Sequence, residues 1–303
     1  MTKPDAFTKI LRWPLLLTAL WLVAGAAGAM NRLVYPLTTL DDADSRYEYD
    51  WAVLREALRK TEPRYGPFTM RQSTHAMSSP RVAQELLTPG GRINIFARAT
   101  SPELERQFLP VRLPIDKGLL GYRMFLVRSD DLPRFAAVNT LDDLRKLRVG
   151  QGAGWIDVPL LRDAGFSVVE GSSYPGLFAM LSAGRFDWFS RGIDEAQREW
   201  RERHAAFPRM VIEPTLLLHY PLPLYFFLRR DDEGKLLAQR ITDGMEMMIK
   251  DGSLNALFQR YKGASIKAGA LAGRRLLQLK NPHLPPETPL SRGELWFNPI
   301  TGK

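Results

Sequence analysis

The sequence has 303 residues, of which 45% are hydrophobic and 25% charged, the composition of a folded globular protein with room for two domains. It contains no cysteine, which excludes disulfides, thiolate metal sites and a cysteine nucleophile. The net charge is +9, but the basic residues are spread along the chain and are not grouped with aromatic residues as in a nucleic-acid groove. We therefore expect no nucleic-acid partner.

The first 29 residues have the pattern of an export signal. A basic start is followed by the apolar stretch Leu15–Ala24 and by Ala27-Gly28-Ala29, which matches an A-x-A cleavage site. The alternative is an uncleaved anchor, although Trp13–Met30 is only about long enough for a weak membrane span. We predict that residues 1–29 are removed and that the mature protein is exported to the periplasm.

The mature chain begins with alternating strand and helix patterns. The predicted elements are, in order, strand Arg32–Pro36, helix Tyr49–Lys60, strand Phe68–Arg71, a loop over Ser73–Ser79, helix Pro80–Leu87 and strand Ile93–Ala97. Strands that alternate with helices at this spacing predict a parallel sheet.

Two apolar segments, Phe108–Arg128 and Pro221–Arg229, are predicted to connect two lobes. The first contains two strand-like runs separated by the turn-forming sequence Pro-Ile-Asp-Lys-Gly, and the second is a short aromatic strand. Because the chain between them again alternates strands and helices, it would cross to a second α/β body and return. Two lobes joined by two hinge strands suit a cleft that closes on a ligand.

The chain between those segments supplies the second lobe. Thr140 and Asp143 are spaced as a capping box, and Ser172 or Ser173 can cap a later helix that Gly184 ends. The other predicted elements are helix Asn139–Leu147, strand Arg148–Gly150, the turn Gly150–Trp155, helix Ile156–Ala164, strand Ser167–Val169, strand Phe186–Phe189, helix Asp194–His204 and strand Met210–Ile212.

After the return, Glu233–Tyr261 is predicted to be helical with a break at Asp251-Gly252, and its apolar positions should cover the first lobe. From Gly263 the chain is basic and then rich in proline, and we predict a peripheral extension packed by Leu295–Phe297. The predicted division is residues 30–121 and 222–262 for the first lobe, 122–221 for the second lobe and 263–303 for the extension.

Four motifs in this order resemble a known family. They are Thr100–Phe108 (TSPELERQF), Leu120–Arg128 (LGYRMFLVR), Thr140–Trp155 (TLDDLRKLRVGQGAGW) and Ala183–Gly192 (AGRFDWFSRG). From position 32 to position 261 the chain resembles the bacterial extracytoplasmic solute-binding proteins of family 3, the polar amino-acid binding proteins of ABC transporters. The resemblance implies a two-lobed α/β fold of the periplasmic binding protein type II, each lobe a mainly parallel sheet flanked by helices. It also implies a monomer that captures a small polar or anionic, amino-acid-like solute for an ABC transporter permease.

Two departures place the chain on a divergent branch. In the family, a Thr-Pro-Glu-Arg motif presents the arginine that binds the ligand carboxylate, but here Leu104 stands at that position after Ser101-Pro102-Glu103. The family aspartate that holds the ligand amine is missing too, because the corresponding neighbourhood is Ser190-Arg191-Gly192. These departures argue against a plain α-amino acid as the ligand.

Arg191 is the first candidate for ligand binding. It follows the strand Phe186–Phe189, and the carboxyl ends of strands in an open α/β sheet are where ligands bind. A guanidinium there can bind a carboxylate or phosphate with two hydrogen bonds. The alternative is a salt bridge with Asp187, Asp194 or Glu195.

The turn Gly150–Trp155 (GQGAGW) supplies Gln151, Gly152 and Trp155 as further candidates. Its glycines let backbone N–H groups approach an anionic group at the N-terminus of the next helix. No Gly-Lys-Ser/Thr follows, so the turn is not a P-loop. Trp155 can stack on the ligand or fill the edge of the lobe, and capping alone would explain Asp157 in the first helical turn.

Three more residues complete the predicted ligand site. Tyr35 and Arg98 end first-lobe strands that should face the cleft, and Tyr174 begins a helix near the same place in the second lobe. For the aromatic run Tyr225–Phe227 in the returning strand, packing is the preferred interpretation.

No motif in the sequence indicates an enzyme. The four histidines show no paired metal-binding spacing, and there is no G-x-S-x-G motif. We expect neither a metal nor an organic cofactor. Two functions remain: delivery of a solute to an ABC importer, and ligand sensing by a periplasmic module of the same fold that docks on a membrane sensor or enzyme.

Overall fold

The structure is a computed structural model that describes residues 31–37 and 47–302. The predicted export signal, residues 1–29, lies outside the described residues. Within the ranges described, no helix is both long enough and apolar enough to cross a membrane.

Strands and helices alternate along most of the described chain. The strands are β1 (Asn31–Leu37), β2 (Phe68–Ala76), β3 (Ile95–Ala99), β4 (Leu109–Val111), β5 (Tyr122–Arg128), β6 (Val149–Gly152), β7 (Val168–Gly171), β8 (Trp188–Gly192), β9 (Met210–Ile212), β10 (Leu216–His219), β11 (Leu224–Leu228) and β12 (Arg275–Gln278). The helices are α1 (Glu48–Lys60), α2 (Glu62–Tyr65), α3 (Ser79–Leu87), α4 (Pro102–Gln107), α5 (Leu132–Ala136), α6 (Leu141–Arg145), α7 (Asp157–Asp163), α8 (Tyr174–Ser182), α9 (Ile193–Arg203), α10 (Asp232–Lys250) and α11 (Ser253–Ala268).

The first lobe contains two small sheets. β1 pairs in parallel with β2, and the returning strand β11 lies antiparallel between β3 and β4. Asn94 joins the two sheets, because its side-chain oxygen accepts from Val34 N at 2.9 Å and its own N–H donates to the Val34 carbonyl at 3.0 Å. The parallel pairing predicted here is confirmed for β1 and β2, but β3 lies in a separate sheet with antiparallel neighbours. β3 and β4 end on the side of the second lobe, whereas β11 begins there and runs in the opposite direction.

The second lobe is built on one sheet with the strand order β12-β10-β5-β8-β6-β7, and β9 is paired with β5. β6 runs parallel to β7 and β8, but β5 is antiparallel to β8, β9 and β10. The predicted, mainly parallel sheet is therefore corrected to a mixed one. β5 carries the chain into the lobe and runs away from the first lobe, while its neighbours run towards it.

Two segments, residues 112–121 and 220–223, connect the lobes side by side; we call them the crossing segments. The Tyr220 N–H donates to the Gly121 carbonyl at 3.2 Å, and a Cβ on Gly121 would lie 2.3 Å from the Tyr220 carbonyl oxygen. The predicted hinge strands are shorter than the sequence suggested, because Leu119–Gly121 forms a 3-10 turn before β5 and prolines interrupt the return. The residue ranges assigned above to the two lobes and to the C-terminal extension stay a proposal.

The C-terminal part is more closely integrated than predicted. α11 continues to Ala268, so the predicted boundary at Gly263 falls inside a helix, where a single glycine is tolerated. β12 then pairs in parallel with β10 at the edge of the second-lobe sheet. The chain after β12 returns to the first crossing segment, where the Trp296 ring packs against Gly118. A Cβ added to Gly118 would lie 2.5 Å from this ring, so a larger residue would not fit. Gly118 also has a positive φ of 75°, which favours glycine on its own.

Most local signals are confirmed. The capping box of Thr140 and Asp143 is present at α6, Ser173 caps α8, and α10 and α11 separate at Asp251-Gly252. The loop predicted over Ser73–Ser79 is wrong, because pairing with β1 extends β2 to residue 76. β10 lies in a stretch where the sequence pattern predicted no element.

Candidate ligand-binding site

The edge of the second-lobe sheet next to the crossing segments carries most of the candidate residues. β6 and β8 end at this edge and β5 begins there. The register places Arg191 beside Met124 and Gly192 beside Arg123, near the start of β5. Ligands in open α/β sheets bind outside the carboxyl ends of the strands, so the predicted position of the site is consistent with the topology.

Arg191 is engaged in a buried ion pair. Its Nε and Nη2 donate three hydrogen bonds of 2.6–2.9 Å to the carboxylate of Glu199, and Nη2 lies 3.0 Å from Glu195. Glu199 is completely buried and Arg191 is 6% exposed. Burial lowers the pKa of Arg191, but the two glutamates more than offset it and the net shift is upward. The salt-bridge alternative is therefore realised, with Glu195 as one of the foreseen partners.

Glu199 is the partner that the sequence pattern did not reveal. Glu195 and Glu199 lie four residues apart in α9, which begins two residues after Arg191. Residues at this spacing share one face of a helix. That spacing, directly after an arginine at a strand end, was the available signal. Only the packing of α9 on the sheet shows that this face turns towards Arg191.

Trp155 and Tyr174 join Arg191 in the same cluster. The rings of Trp155 and Phe189 each lie 4.9 Å from the guanidinium carbon of Arg191. The Tyr174 hydroxyl donates to Glu199 Oε1 at 2.9 Å. Burial, followed by the charge of Glu199, raises the pKa of Tyr174 to about 12, so this hydroxyl is a proton donor at neutral pH. We call Arg191, Glu199, Trp155, Tyr174 and Phe189 the Arg191 cluster.

Gln151 belongs to a second buried network behind the first. Its Nε2 donates to Asp157 Oδ2 at 3.0 Å, and the Tyr220 hydroxyl donates to the same oxygen at 3.0 Å. Arg123 is ion-paired with Asp157 and donates from Nε to the Tyr220 hydroxyl at 2.9 Å. Asp157 is therefore more than a helix-capping residue, and Arg123 and Tyr220 are members that the sequence pattern did not identify. An arginine inside the otherwise apolar strand β5 was the signal available.

Gly152 is required by Trp155. A Cβ on Gly152 would lie 2.2 Å from the indole, so only glycine lets the ring lie directly over the strand end. The anionic ligand group predicted at this turn stays a prediction. The first turn of α7 already carries the carboxylate of Asp157, which is 2% exposed.

The charges in these two networks balance one another. Three arginines, Arg123, Arg191 and Arg198, face the three carboxylates of Asp157, Glu195 and Glu199. Among these residues, this edge of the lobe therefore carries no excess charge of either sign. Glu195 is the most accessible of the three acids, with its side chain 25% exposed. The second lobe thus offers aromatic rings and a carboxylate to any group that enters between the lobes.

The two first-lobe candidates are held by aromatic contacts. The Tyr35 ring stacks on Trp51 at a centroid distance of 4.4 Å. The Arg98 guanidinium carbon lies 5.0 Å from the Phe96 ring, and burial lowers the pKa of Arg98. Both residues are half-buried at or near the ends of β1 and β3. Both ring contacts lie within the first lobe. Tyr35 and Arg98 are therefore not members of the Arg191 cluster.

The position of the family arginine has a structural role here. Leu104 packs against the buried cluster that includes Phe96 and Phe108. Its N–H donates to the Ser101 hydroxyl, which caps α4, at 3.2 Å. The departure predicted from the sequence is therefore accommodated as part of the first-lobe core.

The chain has the two-lobed α/β fold of periplasmic binding proteins, and the predicted fold class is confirmed. One solved structure with this fold is the probable amino-acid ABC transporter extracellular-binding protein ytmK from Bacillus subtilis, at 15% identity over 77% of this chain and 98% of that one, with a TM-score of 0.56. An ancestral arginine-binding protein bound to glutamine is 17% identical over 77% of this chain and 98% of its own, with a TM-score of 0.54.

A third solved structure is a histidine kinase sensor domain with similarity to periplasmic binding proteins, at 16% identity over 78% of this chain and 97% of that one, with a TM-score of 0.51. At these identities the likeness shows the fold alone. No family model matches the sequence, and none of the curated proteins compared with it matches either.

Proposed function

We propose that the protein is a periplasmic solute-binding protein that captures a small polar solute between its lobes and delivers it to the permease of an ABC importer. The observation that carries the proposal is the Arg191 cluster, which lies at the sheet edge next to the crossing segments. Two lobes joined by short segments can close over a solute at this edge. The solved structures with this fold include amino-acid binding proteins, which supports the same class of solute.

The electrostatics refine the solute class. Because the charges of the second-lobe networks balance one another, this lobe contacts the solute through aromatic rings and polar groups, and an anionic group would sit nearer Arg98. Gln151 Oε1 and Arg123 Nη1 are buried without a hydrogen-bond partner in the described part of the chain. Such atoms favour a bound polar group beside them. The solute is therefore amino-acid-like in its polarity but is not held in the family manner.

The remaining features of the proposal follow from the sequence. It includes export to the periplasm, removal of residues 1–29, a monomer, no enzymatic activity, and no requirement for a metal or organic cofactor. N-terminal sequencing of the protein from a periplasmic fraction is expected to find a mature N-terminus at or near Met30. Recovery of the intact Met1 chain from the membrane would contradict this prediction.

A ligand-sensing module is the second candidate function. The observation in its favour is that a histidine kinase sensor domain shares the fold over most of this chain. The two functions differ in the partner that the closed form contacts. Co-purification of the solute-loaded protein with a permease supports transport, whereas co-purification with a membrane sensor supports signalling.

Replacing Trp155 with leucine is expected to lower affinity for the solute at least about tenfold, because the variant loses an aromatic face beside Arg191. The solute is first identified by mass spectrometry of protein purified under native conditions. Isothermal titration calorimetry then compares wild type and variant at one pH.

Trp200→Leu is the matched control for this experiment. Trp200 is also a half-buried tryptophan of the second lobe, but it stacks on His204 at 4.8 Å near the far end of α9. Its replacement should leave affinity within about threefold of wild type. Equal affinities for all three proteins would remove the Arg191 cluster from the binding site.

A further inference from the structure

Four charged residues, two of them buried and two partly buried, lie where both lobes and the first crossing segment meet. They are Asp50 in α1, Asp116 in the crossing segment, Asp194 in the first turn of α9, and Lys262 in α11. The ring of Tyr49 lies beside them, 5.0 Å from Lys262 Nζ. We call these five residues the interlobe charge cluster. None of them belongs to the ligand site predicted above.

The contacts in this cluster join segments that are far apart in the sequence. Lys262 Nζ is hydrogen-bonded and ion-paired with Asp194, which ties α11 to the second lobe. α11 also packs on α1 and α10 of the first lobe. The Tyr49 hydroxyl donates to the carbonyl of Ile115 at 2.7 Å, and the Asp116 carboxylate accepts from Leu120 N at 2.7 Å. The first crossing segment is therefore held by the same cluster.

The cluster has more negative groups than positive ones. A single ammonium group faces three carboxylates, and Asp50 and Asp116 are 4% and 5% exposed. The charge of Arg198 also acts on Asp194. The carboxylates still outnumber the cations near them, which is unfavourable in a poorly hydrated site, and the uptake of a proton relieves the excess charge.

The direction of each pKa shift agrees with this picture. Burial raises the pKa of Asp50 to about 7; Lys262 lowers it, and Asp116 and Asp194 raise it further. Burial likewise raises the pKa of Asp116 to about 6, against the hydrogen bond from Leu120 N and the charge of Lys262. The pKa of Asp194 is lowered, because Lys262 outweighs its burial. Asp50 is therefore the group that changes charge closest to neutral pH.

We propose that the interlobe charge cluster is a proton-sensitive contact between the lobes, which holds them together when Asp50 is protonated and weakens when Asp50 ionises. The proposal rests on the proposed lobe closure, but it does not depend on which solute is bound. It makes the opening of the cleft a function of pH as well as of solute concentration.

The sign of the effect follows from the raised pKa of Asp50. The contact is fully stabilised below the ordinary aspartate pKa and loses that stabilisation as the pH rises through about 7. Asp116 contributes in the same direction as the pH rises through about 6. Asp194, with its lowered pKa, and Lys262, with its raised pKa, both stay charged near neutrality. Between about pH 6 and pH 8 the ratio of open to closed molecules should rise about tenfold, since one proton is released.

The absence of native cysteine allows a direct measurement of the distance between the lobes. Arg55→Cys on the exposed face of α1 and Ala183→Cys at the exposed end of α8 place one spin label on each lobe. Double electron–electron resonance on the solute-free protein then gives the distance distribution at each pH. We expect the longer-distance population to grow from about pH 6 to pH 8. In Asp50→Asn only Asp116 still titrates, so the growth should be much smaller.

Glu48→Gln is the matched control, because Glu48 is an exposed acid two residues from Asp50 on the same helix. It should keep the pH dependence of the wild type. A distance distribution that is independent of pH in the wild type, or a pH dependence in Asp50→Asn as large as that of the wild type, overturns the proposal. The carboxyl ¹³C resonance of Asp50 in the wild type provides a test without any substitution in the cluster: a midpoint near 7 supports the proposal, and one near 4 overturns it.

Failure of this proposal can be distinguished from failure of the proposed function. Calorimetry at one fixed pH tests solute binding alone. If the protein binds its solute but the distance between its lobes does not change with pH, the proton-sensitive contact is overturned and the binding function stands. A protein whose lobes respond to pH but which binds no solute overturns the function and supports the contact.

Discussion

Replacing Arg191 with methionine is expected to lower the free energy of unfolding by about 3–5 kcal/mol, because the variant removes the main ion-pair partner of the completely buried Glu199 carboxylate. This differs from the expectation based on sequence position alone, which is loss of ligand binding in a stable protein. Chemical denaturation followed by circular dichroism measures the difference. The sequence is compatible with both interpretations, and the three hydrogen bonds to Glu199 favour the ion pair.

Two further variants separate the ion pair from other effects of the substitution. The double variant Arg191→Met with Glu199→Leu should recover most of the lost stability, since it removes both buried charges together. Arg201→Met, at an exposed position on α9, the helix that contains Glu199, should change stability by less than about 0.5 kcal/mol. If Arg191→Met has wild-type stability and has lost only its solute affinity, Arg191 is a ligand-binding residue and not a structural one.

Replacing Arg240 with methionine is expected to lower the free energy of unfolding by about 3 kcal/mol or more. Arg240 lies in α10, is completely buried, and donates to carbonyl groups at the ends of α1 and α2. The shortest of these bonds are 2.8 Å to the Gly66 carbonyl and 2.9 Å to Asn31 Oδ1, and a third reaches the Leu58 carbonyl at 3.2 Å. Methionine fills much of the volume but cannot donate to these acceptors, although the Leu58 carbonyl keeps a further donor in Thr61.

The controls test whether the stability depends on the several N–H donors of the guanidinium or only on its positive charge. Arg240→Lys keeps the charge but presents a single ammonium group, so it should recover less than about half of the loss. Lys235→Met removes an exposed cation from the same helix, and its effect should stay below about 0.5 kcal/mol. Equal stability of Arg240→Lys and wild type would show that charge alone satisfies the helix ends. Thermal unfolding of all four proteins in one buffer makes the comparison.

The local elements of this fold could be predicted because their signals lie within a few residues of each other. The capping box of Thr140 and Asp143 and the break at Asp251-Gly252 depend only on backbone geometry and on side chains three or four residues away. The sheet edge that holds the candidate site could be predicted for a related reason, while its role as a ligand site stays a prediction. Chain polarity places the ends of β6 and β8 at one edge, wherever the helices pack.

Other features of the fold were decided by pairing between remote segments. β10 and β12 are strands because each lies beside the other at the edge of the second-lobe sheet, 59 residues apart in register from Leu216 to Arg275. β2 extends past its predicted end because β1 offers it a partner. Strand propensity depends on such neighbours, so a pattern within one segment does not contain the information.

The amino-acid sequence by itself determined that Arg191, Trp155 and Tyr174 would lie near one another, and the structure brings these three into one cluster. Their role in ligand binding stays a prediction. Only the tertiary structure decided how their charges are satisfied. The partners of Arg191 come from a face of α9 that packing orients, and Lys262 meets Asp194 from a helix 68 residues further along the chain. The physical reason is that the energy of a buried charge depends on its distance to other charges and on its loss of water. Both are set by how distant segments pack.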